Sequence, residues 1–116
     1  MAFRFEELRV FHLGVDLSNK ISVLVEKFPK KEVFSLCSQI RRAEDSVVLN
    51  LAEGSTGQSK PEFRRFLGIS LRSAIEVVAC LYLAFKRNYI LEKEYRDLYL
   101  EYEILCKALT KLRNSL

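Results

Sequence analysis

The chain is predicted to fold as an all-α, antiparallel up-down four-helix bundle with left-handed packing. Three observations predict it. Apolar residues recur at spacings of three and four along most of the length, no stretch alternates with the period of two that a strand needs, and Pro29, Gly54 and Gly57 fall at the ends of or between the periodic segments. At 116 residues the chain is expected to be a single domain over 1–116, large enough to bury a core.

The first helix is expected over 6–28, where Val10, Leu13, Leu17, Ile21, Leu24 and Phe28 share one face. Pro29 disfavours helical geometry at Phe28 and ends it. Gly14 inside this helix costs about 1 kcal/mol against alanine, which suggests a close helix contact there. The second helix is expected over 32–53, closed by Gly54 as a C-terminal signal. The third is expected over 60–87: Ser59 and Glu62 form a capping-box pattern, Pro61 sits in the permissive first turn, and Asn88 is a natural stop. The fourth is expected over 92–113. Its seam, Leu91, Tyr95, Leu98, Tyr102, Leu105, Leu109, Leu112 and Leu116, alternates steps of four and three, a seven-residue repeat that implies shallow left-handed packing.

Bulk composition is that of an ordinary globular domain, with 49% apolar and 29% charged residues. The net charge of +4 permits contact with nucleic acid or acidic membranes without demanding it. Val77–Phe85, an uncharged run, is too short to span a bilayer, which takes about 20 residues. The N-terminal MAFRFEELRV places Glu6 and Glu7 where a secretory signal needs an apolar core. A cytoplasmic protein without membrane contact is therefore expected. Cys37, Cys80 and Cys106 are widely separated and lie among apolar neighbours, as reduced core cysteines do.

Within the second helix, Gln39, Arg42, Ser46, Asn50 and Glu53 form a polar stripe over an arc of roughly 80°. On so apolar a helix the stripe is expected to be at least partly buried, serving as a register device or as a site. Glu76 is the only charged residue between Ser73 and Phe85. Counted from the short loop between the two helices, Arg42 and Glu76 are offset along the axes by about 7 Å, so a bidentate ion pair between them is expected.

Basic residues are expected to gather at the end shared by the first and third connections: Lys27, Lys30, Lys31, Lys86 and Arg87, with Lys93 near them. They read either as caps on helix C-termini or as a rim for phosphate groups. Phe3, Phe5, Phe11, Phe63, Phe66 and Tyr99 exceed what one thin core readily absorbs, which suggests a subunit interface, or else a wider monomer core. Catalytic and cofactor signals are missing. His12 is the sole histidine and no Glu-x-x-His pair exists for a di-metal site. Neither Ser46 nor Ser73 lies in a hydrolase motif, and Gly54-Ser55-Thr56-Gly57 lacks the lysine and spacing of a phosphate-binding loop.

The segment LCSQIRRAEDSVVLNLAEG, followed by SKPEFRRFLGISLRSAIEV, resembles the four-helix bundle proteins encoded within intervening sequences of bacterial 23S rRNA genes. Its most specific part is the block Gln39-Ile40-Arg41-Arg42-Ala43 with Asn50-x-Ala52-Glu53-Gly54; Phe5-x-x-Leu8 and Phe28-Pro29 extend it. Arg72-Ser73 departs from the Gly-Ser often found at that point. The resemblance implies a non-enzymatic bundle that assembles as a ring-like homopentamer. A similar bundle is the accessory protein of diversity-generating retroelements, a pentamer that engages reverse transcriptase and nucleic acid. A fivefold ring would carry a charge of about +20 and repeat any weak phosphate contact. The expectation is thus an oligomeric bundle that binds RNA or a nucleoprotein. The alternative is a structural or protein-partner adaptor without nucleic-acid affinity, a reverse-transcriptase accessory role included.

Overall fold

Phe28 shows how the sequence sets the first corner. Held extended (φ −71°, ψ 147°) before Pro29, it stops the helix and still buries its ring. The computed structural model describes residues 2–116 and contains four helices: α1 (Arg9–Leu24), α2 (Leu36–Gly54), α3 (Lys60–Lys86) and α4 (Glu92–Asn114). No strand occurs among the described residues. The fold is the expected all-α four-helix bundle.

Neighbouring helices run antiparallel, as paired side chains show. Lys20 of α1 pairs with Glu101 of α4, and Lys27, just past the end of α1, with Glu94. Ser46 meets Ser73 and Val47 meets Ser70 between α2 and α3. Phe85 stacks on Tyr95 between α3 and α4, with ring centroids 5.2 Å apart. The core is a continuous apolar cluster to which every helix contributes, including Leu17 and Ile21 of α1, Ile40, Val47 and Leu51 of α2, Leu67, Val77 and Leu81 of α3, and Leu105 and Leu109 of α4.

Several boundaries differ from the periodicity reading. The helix expected over 6–28 is α1 flanked by short 3-10 turns at Arg4–Glu7 and Val25–Lys27. The entering turn is held by stacked rings, Phe3 on Phe5 at 5.9 Å and Phe5 on Phe11 at 4.6 Å, and by His12 Nε2 against the Glu6 carbonyl at 2.7 Å. α2 starts at Leu36 rather than near residue 32, because Lys30–Glu32 forms a 3-10 turn and Ser35 leaves helical geometry (φ −125°, ψ −102°). Glu32 is drawn into tertiary bonds there, so its backbone follows the corner and not the helix. Leu91, placed in the α4 seam by spacing, is its N-cap and is 67% exposed; Leu98, Tyr102, Leu105 and Leu109 carry the buried seam.

The ends of α3 follow their sequence signals. Ser59 Oγ accepts the Glu62 N–H at 3.2 Å, while the Glu62 carboxylate turns to Arg65. At the other end Asn88 is left-handed (φ 63°), Tyr89 N–H donates to the Ala84 carbonyl at 2.9 Å and Asn88 N–H to that of Phe85 at 3.0 Å, a Schellman closure. Gly54 works differently from expectation. It is the last helical residue of α2, and packing requires it: a Cβ there would lie 2.6 Å from Phe66 Cβ. At Gly14 a Cβ would meet Val48 Cγ2 at an ordinary 3.4 Å.

By length and composition alone α3 is long and apolar enough to cross a bilayer, although its uncharged run, Val77–Phe85, is short. Only 39% of its most apolar stretch is buried in the bundle. Ile75, Tyr82 and Leu83 remain 56%, 47% and 41% exposed.

Candidate functional site

The polar stripe of α2 lies along its seam with α3. Small residues let these two helices approach closely enough for side chains to reach backbone: the Ser70 hydroxyl donates to the Val47 carbonyl at 2.9 Å. The Ser46 and Ser73 hydroxyls share a 2.8 Å hydrogen bond, and Asn50 Nδ2 donates to the Ser46 carbonyl at 2.8 Å and to its Oγ at 3.0 Å. Ser46 and Asn50 are half-buried. Gln39, Arg42 and Glu53 are exposed, so the stripe as a whole is the outer edge of the seam and not a buried network.

The expected Arg42–Glu76 ion pair does not form. Both residues are exposed, and Glu76 accepts a 3.3 Å hydrogen bond from Gln39 Nε2 instead. The axial offset placed Arg42 and Glu76 within reach. It carried no information on azimuth, and Arg42 points to solvent. A solvated Glu76 bears little of the desolvation cost that made a partner necessary.

The expected basic end is partly neutralised. Lys27 is paired with Glu94, and Arg87 Nη1 donates to Glu32 Oε2 at 3.0 Å. Glu32 is buried, and the Tyr89 hydroxyl donates to the same oxygen at 2.6 Å. The Tyr89 hydrogen bond, with Arg87 beside it, holds the Glu32 carboxyl below the usual carboxylate range. Arg87 and Tyr89 thus clasp the α3–α4 connection to the α1–α2 connection. Lys30, Lys31 and Lys86 are exposed, and none forms an ion pair among the described residues. Lys86 Nζ sits over the rings of Tyr82 and Phe85 at 5.7 and 5.6 Å.

Glu44, outside the stripe, is a carboxylate that the core does contain. It is 1% exposed, accepts a hydrogen bond from the buried Tyr102 hydroxyl through Oε2, and leaves Oε1 without a partner among the described residues. Burial pushes its carboxyl up to about 7, with Tyr102 opposing. Tyr102 is raised in turn, by burial first and then by the Glu44 charge. The pair joins α2 to α4 across the bundle. A signal existed in the sequence, because Ile40, Glu44, Val47 and Leu51 step by four, three and four along the core face.

Of the surplus aromatics, Phe63 is buried and Phe5, Phe11 and Phe66 are half-buried, which accounts for them within the monomer. Phe3 and Tyr99 are 64% and 43% exposed. Cys37 and Cys80 are buried and Cys106 half-buried, all free thiols; burial pushes Cys80 up to about 11. Among the described residues, no group of three or more His, Cys, Asp or Glu is placed to hold a metal ion.

The family model of the 23S rRNA-intervening sequence protein matches residues 6–111. The chain belongs to this family. A solved member of the S23 ribosomal protein family from Bacteroides thetaiotaomicron, described as of unknown function, is 24% identical to it, with a TM-score of 0.83 over 90% of this chain and 95% of that one. At that identity the likeness shows the four-helix fold alone. No curated protein matches the chain.

Proposed function

We propose that this family member is a non-enzymatic, cytoplasmic homo-oligomer, a ring-like pentamer, that presents basic surface to RNA or a nucleoprotein. The observation that carries the reading is the mismatch between core and surface on α3 and α4. The core is already complete, yet Ile75, Tyr82, Leu83, Tyr99, Leu100 and Ile104 are each more than 40% exposed. Apolar surface of that extent is what a subunit contact covers. Lys30, Lys31 and Lys86, together with the net charge of +4, supply the phosphate-facing part, which assembly would repeat around a ring. The family description supports an RNA context through its reference to 23S rRNA.

The test is a fluorescence-anisotropy titration of single-stranded RNA across salt concentrations. The proposal expects binding at low salt, a logarithmic affinity that falls linearly with log salt, and a weaker slope for the Lys30→Glu, Lys31→Glu, Lys86→Glu variant. A second reading, an adaptor for a protein partner such as a reverse transcriptase, is favoured by the neutralisation of Lys27 and Arg87. No RNA binding even at low salt would leave that reading standing and remove the first.

A further inference from the structure

Phe34 is 96% exposed, more than any other large apolar side chain among the described residues. A fixed corner holds its ring out. Lys30–Glu32 is a 3-10 turn after Pro29, Ser35 N–H donates to the Glu32 carbonyl at 3.0 Å, and Arg87 and Tyr89 clasp the buried Glu32 carboxylate. Other exposed rings have a ring beside them: Phe3 packs on Phe5 at 5.9 Å, and Tyr82 and Tyr99 each lie 6.0 Å from Tyr95. Phe34 has no such neighbour among the described residues. Val23, Leu49, Leu91, Leu100 and Ile104 are exposed as well, but they are aliphatic and offer no flat face. Next to the corner, Lys31, Glu32, Arg87 and Tyr89 line an open depression of about 640 Å³. Arg87 gives Nη1 to Glu32, is 44% exposed along its side chain, and has further N–H groups to offer. Lys30, Lys31 and Arg87 outnumber the acids of this corner, Glu26 and the buried Glu32.

We propose that Phe34 is a stacking platform for an unpaired base, with Lys31 and Arg87 holding the adjoining phosphate, so that the partner is single-stranded RNA. The proposal rests on the RNA reading above and adds the form of the RNA and the residues that meet it; it needs no particular oligomeric state. A free aromatic face accepts any unpaired base, whereas bases inside a duplex are already stacked on each other. Lys31 lies three residues before Phe34, at most about 11 Å away between Cα atoms, so ring and cation address neighbouring parts of one strand. The corner is ordered before anything binds, which spares the cost of fixing it on contact. Charge complementarity favours a polyanion, because Lys31 and Arg87 face one depression in which the only acid is already hydrogen-bonded. An anionic lipid surface would share that charge preference. Insertion into lipid draws on a broad apolar face, however, and this corner supplies one full ring with Val33 only 47% exposed.

The test uses the full chain, a mixed-sequence dodecamer RNA, and the same strand annealed to its complement. The chain has no tryptophan, so Phe34→Trp introduces a single indole reporter. Its emission should be quenched by the single strand and not by the duplex. Phe34→Ala should keep the native far-UV circular dichroism, because the ring is almost wholly exposed, and bind the single strand about 10-fold more weakly with an unchanged salt slope. Lys31→Gln should make the slope of log affinity against log salt shallower by about 0.7, the value for one phosphate contact on a single strand. If the native protein binds the single strand but Phe34→Ala binds it equally well and the indole emission stays constant, the stacking assignment is wrong and the RNA reading survives. An equal loss of duplex and single-strand affinity in Phe34→Ala also overturns stacking. No RNA binding even at low salt removes both readings. Sedimentation with phosphatidylserine-containing vesicles that Phe34→Ala abolishes, in a protein that binds no RNA, would assign the corner to a lipid surface instead.

Discussion

Glu44 makes the bundle's stability depend on pH in a direction opposite to most carboxylates. Its carboxyl, pushed up to about 7, lies above the ordinary value of 4.5, so the folded chain holds this proton more tightly than the unfolded chain. The contribution is fully present below pH 4.5 and is withdrawn as pH rises through 7. At 1.36 kcal/mol per unit, the swing from this one group is about 3 kcal/mol, a large share of a small domain's stability. Glu32, Glu62 and Glu94 are shifted the other way, and their losses fall at lower pH, below the ordinary carboxylate range. Urea melts of the native protein and of Glu44→Gln from pH 4.5 to 8 isolate the effect. The native protein should lose stability across that window while Glu44→Gln stays nearly level and overtakes it by pH 8. Parallel profiles for the two proteins would refute the assignment of a buried, titrating acid at this position.

Other substitutions have distinct expected outcomes. Gly54→Ala forces a methyl group against Phe66 Cβ and should cost about 1–3 kcal/mol in chemical denaturation. Gly14→Ala meets only ordinary contacts and should be neutral or stabilising by up to about 1 kcal/mol; equal losses at the two glycines would contradict the packing described. Arg42→Met and Glu76→Leu should each fall within about 0.5 kcal/mol of the native protein and add without coupling. A double-mutant cycle with coupling well above that would restore the ion pair.

The parts of the fold legible in the sequence are those that depend on one period. Val10, Leu17 and Ile21, or Leu98, Leu105 and Leu109, reveal a helix and its inner face at once, because burying a continuous stripe is what forms the helix. What escaped depends on contacts between elements. The late start of α2 follows from Glu32 meeting Arg87 and Tyr89, more than fifty residues away. Glu44 was hidden because a charged residue reads as an outward position, whereas its spacing from Ile40 and Val47 puts it inward. The Arg42–Glu76 pair failed for the converse reason: one-dimensional counting fixes height along a helix but not the face. The exposed apolar side of α3 looked like core in sequence, since apolar residues that stay exposed and those that enter a core have the same signature.

Light scattering coupled to size exclusion, on the unmodified protein at micromolar concentration and above, tests the central claim most directly. The account predicts a particle of about five times the 13.5 kDa chain mass. A particle of 13.5 kDa that persists at high concentration would contradict it.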